Sequence, residues 1–468
     1  MSPPDHQKRP SARCSSTACS SGPKRRRPRL TAPASAVAPG AGTAASPSSP
    51  WASMNGDLVR LIAWRVLAGD LLDYVRFRAV CPNWRSSTAC PRGRGVINPR
   101  FHPRRWMMLP EGHGLYPAHG KLRGYIRFFN LDTGKFVRVK LPVFQDHCVL
   151  DSVDGLLVMR RDQDKAIRLF HPFTGDVVDL PPLGNLVTHI NQDLPGASHP
   201  VHRFYYFGDV CTSFSASAAG VITVMLALGR VGCVAFATSQ DQKWHLSTWT
   251  LSYCKSLSFQ GKLYMVRMSF IPEENKDIFQ VDPPQGDQGV GAGSSLPEPK
   301  LVAAIPADKL TYPIFLTECD SQILVAGYTD RLYSHMQVHR LADLASEKLV
   351  PVTSIGDKAL FINDRSLSVS STAALPGVVG DTIVLPSRKD GSLIQYHLGT
   401  GTWSRPMDGC ITTGPVFGPS CLIYHIYTCC RREYWEQRAT IQPEKSMQVA
   451  SEEKLACRGL NDLRWSLP

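Results

Sequence analysis

The sequence predicts an α+β protein in which a disordered tail precedes a small all-α helical module and an all-β propeller. Three observations lead to this prediction. Ser, Ala and Pro dominate the first 50 residues, apolar residues then recur at helical spacing, and short strands repeat about every 40 residues beyond position 101. The expected boundaries are a tail over 1–50, a helical module over 51–95, a propeller over 101–430 and a polar tail over 431–468.

The N-terminal tail is basic. Ser, Ala and Pro fill 28 of its 50 positions, which leaves too few branched apolar side chains to build a core. It also holds eight basic residues and one acidic residue, more than half of the net charge of +13, so the body carries too little excess charge for a nucleic-acid-binding core. The run Lys24, Arg25, Arg26 and Arg27 fits a nuclear localisation signal. A plastid transit peptide and an inert solvated arm are the alternatives.

The helical module is predicted from apolar spacing between residues 57 and 86. The apolar positions are Leu58, Leu61, Ile62, Val66, Leu71, Leu72, Val75 and Ala79. Asp57 is the expected N-cap of the first helix, Gly69 its C-terminal stop and Asp70 the cap of the next helix. Pro82 ends one helix or begins another. Because two or three short helices bury little apolar surface alone, we expect the module to complete its core against a partner.

The propeller is predicted from a repeated pattern of strand, Thr-Gly turn and strand. The three turns are Thr133-Gly134, Thr174-Gly175 and Thr400-Gly401, and the first two lie 41 residues apart. Each turn places glycine where positive φ is needed. A repeat of about 40 residues is typical of propeller blades, and residues 101–430 have room for roughly six to eight. A β-sandwich or barrel with one coincidental repeat is the alternative.

Two further segments of this region have distinct patterns. Residues 221–228 and 233–238 are apolar but separated by Gly-Arg-Val-Gly, so they are predicted as two buried strands and not as a membrane span. No association with a membrane is expected. Residues 282–300 are rich in Pro and Gly and are predicted to form a surface loop that can be deleted without loss of the fold.

Chemistry-bearing motifs are absent from the sequence. It contains no nucleophile-elbow, zinc-protease or phosphate-loop motif, and we expect no catalysis, no cofactor and no metal. Asp162 and Asp164 allow the alternative of a glycosidase-like propeller hydrolase with an unrelated helical N-terminus, although exposed turn carboxylates are commoner. His113 and His119 have no third ligand nearby. The fourteen cysteines include no C-x-x-C, so most are predicted to be reduced core residues of a nuclear or cytoplasmic protein.

Residues 51–85 resemble an F-box. The segment keeps Asp57-Leu58, Ile62 and the closing run Arg-Ala-Val-Cys-Pro-Asn-Trp-Arg over 78–85. It has Met54-Asn55 where Leu-Pro is usual, and the loss of Pro removes a rigid helix start. Met can still fill an apolar pocket.

Three later stretches resemble the plant F-box family whose C-terminal domain is the KIB-type β-propeller. They are His-Cys-Val-Leu-Asp-Ser-Val-Asp-Gly-Leu-Leu over 147–157, Leu-Phe-His-Pro-Phe-Thr-Gly over 169–175 and Pro-Val-Thr-Ser-Ile-Gly-Asp-Lys-Ala-Leu-Phe over 351–361, the last followed by a Ser-rich strand over 365–370. The resemblance covers roughly residues 51–430. It implies a non-catalytic substrate-receptor subunit of a Skp–cullin–F-box ubiquitin ligase.

The same resemblance implies the partners and the residues that contact them. The helical module would bind a Skp-type linker subunit and, through it, a cullin, while the propeller recruits an unidentified protein substrate for ubiquitination. The residues expected to contact the linker subunit are Met54, Leu58, Ile62, Leu67, Leu71, Val80, Cys81 and Trp84. Trp84 is expected to serve both the module's core and this interface.

Overall fold

The computed structural model describes residues 50–109, 125–184, 186, 210–229, 231–251, 254–267, 274–284, 295–371, 375, 377–388, 391–405 and 422–430. The chain divides into two units between Pro50 and Trp51, and the account below concerns the second unit. The predicted tails over 1–50 and 431–468 fall outside the described residues, apart from Pro50. So do Lys24, Arg25, Arg26 and Arg27 and the loop histidines His113 and His119.

The helical module consists of three helices, α1 (Gly56–Gly69), α2 (Leu71–Arg78) and α3 (Pro82–Ser86). The N-cap of α1 is Asn55 and not Asp57 as predicted, because the Asn55 side chain accepts a hydrogen bond from Asp57 N at 2.7 Å. Gly69 is the last residue of α1 and not its stop, since the chain leaves the helix in extended form at Asp70. The predicted cap of α2 by Asp70 is confirmed.

Twenty-three strands form six sheets within the described residues, and each sheet is one blade. Blade 1 contains β1 (Trp106–Met108), β2 (Tyr125–Asn130) and β3 (Phe136–Lys140). Blade 2 contains β4 (His147–Val153), β5 (Leu156–Arg161), β6 (Ala166–Phe170) and β7 (Val177–Pro182). Blade 3 contains β8 (Val210–Ala216), β9 (Ile222–Leu228), β10 (Cys233–Thr238) and β11 (His245–Leu246).

The other three blades follow in chain order. Blade 4 contains β12 (Cys254–Phe259), β13 (Lys262–Arg267), β14 (Lys276–Val281) and β15 (Lys300–Ile305). Blade 5 contains β16 (Thr311–Cys319), β17 (Gln322–Tyr328) and β18 (Met336–Arg340). Blade 6 contains β19 (Lys358–Phe361), β20 (Leu367–Ser370), β21 (Thr382–Pro386), β22 (Leu393–His397) and β23 (Thr402–Ser404), with β19 and β21 parallel.

The blades bury both of their faces, and this arrangement produces the ring. Along β9, Val224 and Leu226 pack against blade 2, whereas Met225 and Ala227 pack against blade 4. Because strand side chains alternate between faces, a strand buried on both sides reads as a continuous apolar run. The ring closes between blades 6 and 1, where Ser370 N donates to Leu131 O at 2.9 Å. The fold is a six-bladed propeller.

Within the described residues, helices also occur in the region predicted as all-β, so that prediction is corrected. Helix α4 (Leu341–Ala345) follows blade 5, and α5 (Leu422–Cys429) packs against blades 1 and 6. Ile423 and Ile426 of α5 are fully buried beside blade 1. This helix therefore strengthens the closure of the ring.

The three predicted Thr-Gly hairpins are confirmed, and they share one turn geometry. Gly134, Gly175 and Gly401 all have positive φ, and each donates its N–H to the carbonyl four residues earlier at 2.8–2.9 Å. The strands predicted over 221–228 and 233–238 are confirmed as β9 and β10. None of the nine cysteines in the described ranges forms a disulfide, and seven are buried, which confirms their predicted place in the core.

The turns divide between the two ends of the ring. We call the end that carries Asp154-Gly155, Asp320-Ser321 and the Thr-Gly turns the module face, because the helical module and its connector over residues 87–105 lie there. We call the opposite end the far face. It carries the turns that join β17 to β18 and β21 to β22. Among the described residues, no helix is long and apolar enough to cross a bilayer.

Candidate functional site

Exposed apolar side chains concentrate on the helical module. Fourteen large hydrophobic side chains are exposed in the described part of the chain, and six of them fall within the first 30 residues of the module. These six are Trp51, Leu58, Leu61, Ile62, Val75 and Val80. Singly exposed apolar residues are ordinary, but such a concentration in a short segment marks an interaction surface.

Helix α1 separates its apolar residues onto two faces. Val59, Ala63 and Leu67 are buried against the rest of the module. Leu58 and Leu61 are 54% and 55% exposed, with Ile62 beside them. Spacings of three and four residues place these three side chains on one face of the helix. The sequence therefore builds α1 with an inner apolar stripe and an outer apolar stripe.

The corner between α2 and α3 is held by polar side chains of the closing motif. Arg78 Nε donates to Thr88 Oγ1 at 3.0 Å, and the same guanidinium reaches the carbonyl of Arg85 at 3.4 Å. Cys81 Sγ accepts from Trp84 N at 3.4 Å, and Pro82 is the first residue of α3. Arg78 and Cys81 thus maintain the corner, and the predicted linker contact Cys81 is half-buried there.

Trp84 fastens the chain before α1 onto α3. Its ring is half-buried and stacks on Phe77 with centroids 4.3 Å apart. Its indole N–H donates to Trp51 O at 2.9 Å. Asn83 Nδ2 donates to the carbonyl of Met54 at 3.1 Å, so the segment before α1 lies across α3. This arrangement agrees with the core part of the role expected for Trp84.

The eight predicted linker contacts do not share one surface. Leu58, Ile62 and Val80 are exposed, and Met54, Cys81 and Trp84 are half-buried. Leu67 and Leu71 are only 7% and 4% exposed and lie in the interior with Ala63, Tyr74 and Phe101, so their prediction as surface contacts is corrected. The reason is that Leu67 falls on the inner stripe of α1 and Leu71 begins α2 beneath it.

Three members of the surface were missed by the sequence prediction. Leu61 was included in the helical pattern but not in the expected interface, although its spacing of three residues from Leu58 places it on the outer stripe. Val75 was likewise part of the helical pattern but not of the expected interface, and Trp51 precedes the periodic segment. We therefore define the outer apolar surface as Trp51, Leu58, Leu61, Ile62, Val75 and Val80.

The module completes part of its core against its own propeller. Phe101 and Phe173 join the module's apolar cluster, and Tyr74 packs on Phe101 with centroids 6.0 Å apart. On the inner side of the module, the propeller therefore completes this core, and not an external partner as predicted. The outer apolar surface is the part that the propeller leaves exposed.

The connector between module and propeller is fixed to the Thr-Gly turn of blade 2. The carboxylate of Asp176 accepts from Gly93 N at 2.8 Å and Gly95 N at 2.7 Å. Burial lowers the pKa of His171, so its ring is neutral. In that form His171 Nδ1 accepts from the backbone N–H of Thr174, and Nε2 donates to Phe101 O at 2.9 Å. The direction of the module relative to the ring is thus determined by hydrogen bonds.

One question about the described propeller residues is whether they hold a metal site or a general acid. They contain no group of three or more His, Cys, Asp or Glu side chains that could hold a metal. Asp164 forms an ion pair with Arg161 and accepts from Ala166 N at 3.1 Å, and these contacts hold its pKa well below the ordinary value. A low pKa suits a structural turn carboxylate and not a general acid.

The chain was compared with protein-family models, curated proteins and solved structures. The family model described as KIB1-4 beta-propeller matches residues 128–400, which is more than half of the chain. The comparison with curated proteins found no match. Among solved structures, the chain is similar to the β-propeller domain of Cps50 (Swd1) from Myceliophteria thermophila, with 8% identity and a TM-score of 0.25 over 60% of this chain and 76% of that one.

Proposed function

The chain belongs to the KIB1-4 β-propeller family, and we propose that it is the substrate-receptor subunit of a Skp–cullin–F-box ubiquitin ligase. In this proposal α1 and the α2–α3 corner bind a Skp-type linker subunit. The linker subunit carries the cullin, and the propeller captures a protein substrate. The chain itself performs no covalent chemistry.

The outer apolar surface is the observation that carries this proposal. The module buries its inner stripe against Phe101 and the propeller, yet α1 still presents Leu58, Leu61 and Ile62 to solvent. Removing such side chains from water on binding contributes roughly 25 cal/mol per Å² of apolar area. A helical partner surface that covers them would gain this contribution without rearranging the module.

Rigid attachment of the module supports the same role. The bonds of Asp176 to Gly93 N and Gly95 N fix the connector, so a linker subunit on α1 and a substrate on the propeller would keep a set separation. A receptor of this kind accelerates ubiquitin transfer by holding the substrate near the transferring subunit, which raises its effective concentration.

Direct binding to a purified Skp-type linker subunit tests the proposal. The double variant Leu58→Ser, Ile62→Ser should weaken the affinity of the full-length chain by about 30-fold or more, because two apolar contacts of at least about 1 kcal/mol each would be lost. Leu301→Ser is the matched control, since Leu301 is similarly exposed but lies on β15 of blade 4.

Two results would contradict the proposed function. One is unchanged linker affinity in the double variant while its thermal midpoint equals that of the unsubstituted chain. The other is an equal loss of affinity in Leu301→Ser, which would show that any exposed leucine contributes to non-specific adhesion.

A further inference from the structure

The turn between β17 and β18 on the far face presents an unusually exposed leucine. Leu332 is 88% exposed, the highest value among the exposed large hydrophobic side chains of the described residues. It lies between Arg331 and Tyr333, on the end of the ring opposite the helical module. A single exposed leucine at a loop tip is ordinary, so the residues around Leu332 determine whether it marks a binding surface.

This turn is rigid. The carboxylate of Asp330 accepts from Ser334 N at 3.1 Å, from Ser334 Oγ at 2.9 Å and from His335 N at 2.8 Å. Partial burial opposes ionisation of Asp330, but these hydrogen bonds outweigh it and hold the pKa of its carboxyl below the ordinary value. The tip that carries Leu332 is therefore pre-organised, which lowers the entropic cost of binding.

The turn also holds a strained residue. Tyr333 has φ of +58°, a conformation that costs a residue with a bulky side chain free energy and that clusters at functional positions. The Tyr333 ring contacts blade 6, where the guanidinium of Arg388 lies 3.2 Å from its centroid. Tyr328 packs against Tyr333 edge-on at 4.9 Å.

Blade 6 supports the turn from the other side. Trp403 Nε1 donates to Ser334 O at 2.7 Å, and the Trp403 ring packs on Tyr396 with centroids 4.8 Å apart. Leu332 and Tyr333 thus belong to a turn that Arg388 contacts and that Trp403 braces from β23, and we call these four residues the far-face patch. Tyr, Trp and Arg are the residue types that dominate binding energy at protein interfaces.

The charge of the far-face patch indicates its partner. Arg331 and Arg388 are both exposed, and within the part of the chain that the structure describes neither forms an ion pair. The one carboxylate in the turn, Asp330, is occupied by the hydrogen bonds of the turn itself. A complementary surface would therefore supply carboxylates for the two guanidiniums and apolar side chains around Leu332.

We propose that the far-face patch is the substrate-docking surface and that it binds an acidic protein segment with apolar side chains that pack around Leu332. This inference rests on the proposed ligase function, but it concerns a different surface of the protein. Binding at the far face would leave the outer apolar surface free, because the module occupies the opposite end of the ring. The chain could then bind the linker subunit and the substrate at the same time.

A peptide selection tests the proposal with a defined probe. A phage-displayed library of random linear peptides is selected on the full-length chain, and the affinities of enriched peptides are measured for the unsubstituted chain and its variants. We expect peptides with several Asp or Glu and at least two large apolar residues. Leu332→Ser and Arg388→Gln should each weaken them about tenfold or more, while Leu301→Ser should not. Binding should also weaken as salt rises from 50 to 500 mM.

Each other outcome overturns the proposal. These outcomes are no enrichment, enrichment of basic peptides, and acidic peptides that bind Leu332→Ser as well as the unsubstituted chain. Linker-subunit affinity is measured on the same Leu332→Ser protein and should be unchanged. Loss of peptide binding with linker binding intact supports the docking surface, whereas failure of the Leu58→Ser, Ile62→Ser experiment affects only the ligase role.

Discussion

The carboxylate of Asp70 accepts a hydrogen bond from the indole N–H of Trp106 at 2.7 Å, and this bond joins the helical module to blade 1. The same Asp70 oxygen accepts from Asn130 Nδ2 at 3.0 Å, while the other oxygen caps α2 through Leu72 N at 2.7 Å. Asp70 therefore closes α1 through its backbone N–H, while its side chain begins α2 and attaches the module to the propeller. Helix capping and domain orientation are coupled at this position.

Replacement of Asp70 should separate these two roles. Asp70→Ala removes both oxygens and should destabilise the module by about 2–3 kcal/mol, of which about 1 kcal/mol is the lost cap. Asp70→Asn can keep the capping oxygen but turns an N–H donor towards Trp106 and Asn130, so it should loosen the docking alone. Hydrogen exchange of peptides from residues 56–86 measures both effects.

Asp73→Ala is the control for this experiment. Asp73 lies in the first turn of the same helix but forms only an exposed ion pair with Arg76. Such pairs contribute little, so its exchange protection should stay near that of the unsubstituted chain. Equal loss of protection in Asp70→Ala and Asp73→Ala would show that the contacts to blade 1 do not stabilise the module.

Substitution to alanine should affect stability on the inner stripe of α1 and linker-subunit affinity on the outer stripe. Leu67→Ala deletes a buried side chain and should lower the free energy of unfolding of the module by about 2–5 kcal/mol. Leu61→Ala removes an exposed side chain and should change stability by less than about 0.5 kcal/mol. Linker-subunit affinity should fall in Leu61→Ala while its thermal midpoint does not. A stable Leu67→Ala protein would contradict the assignment of Leu67 to the core.

Local signals in the sequence predicted much of the propeller. The Thr-Gly turns predicted three hairpins, since glycine at a fixed position permits the positive φ of Gly134, Gly175 and Gly401. The tight turns Asp154-Gly155 and Asp320-Ser321 are further hairpins with positive φ, and Asp-Gly between apolar runs is a strong indication of a two-residue hairpin. Helix α2 followed from its cap Asp70 and its apolar spacing, whereas Pro82 left open whether one helix ended or another began there.

Local sequence signals do not predict how the module docks onto the propeller. Asp70 meets Asn130 across 60 residues, and Asp176 meets Gly95 across 81. Neither the spacing nor the chemistry of these residues identifies the partner, because an aspartate beside a turn serves equally well as a local cap. For the same reason the sequence could not tell that the propeller covers Leu67 and Leu71 while the outer stripe of α1 stays exposed.

The contact between Gly155 and Pro103 should be essential for the connector. A Cβ at Gly155 would lie far inside van der Waals contact with the Pro103 carbonyl oxygen, and the residue also has φ of +77°. Gly175 has φ of +79° but open space around its Cα, so Gly175→Ala carries backbone strain alone. Urea unfolding should show Gly155→Ala to be less stable than Gly175→Ala by about 1–3 kcal/mol. Equal midpoints would contradict this.

The Pro/Gly-rich loop should tolerate deletion only in its middle. The sequence predicted that residues 282–300 could be removed together, but Leu296 is buried between blades 3 and 4, and Pro297 O accepts from Trp249 Nε1 at 3.1 Å. Deleting 285–294 with a short Gly-Ser bridge should preserve the thermal midpoint. Deleting 283–299 should lower it, because burial of Leu296 and the bond to Trp249 are lost. Equal midpoints for the two deletions would restore the original prediction.

Asp282 at the start of this loop should make stability depend on pH in the acid range. A hydrogen bond from Lys300 at 2.8 Å, helped by Lys262 and Gln280, outweighs burial and lowers the pKa of its carboxyl from 3.8 to about 2. Because the folded pKa lies below the unfolded one, the ion pairs stabilise the fold fully above pH 3.8. That contribution is lost as the pH falls through about 2. Since Asp282 is partly solvated, we expect it to amount to about 1 kcal/mol at pH 6.

Urea unfolding of the unsubstituted chain and of Asp282→Asn at pH 6 and pH 2 measures this contribution. The difference in the free energy of unfolding between the two proteins should shrink towards pH 2, because the Asp282 carboxyl becomes protonated in the folded state as the pH approaches its lowered pKa. Asp308→Asn is the control, because Asp308 is exposed and pairs only with the neighbouring Lys309, so its substitution should have little effect at either pH. A difference for Asp282→Asn that stays constant between pH 6 and pH 2 would show that the carboxylate is not what stabilises the base of the loop.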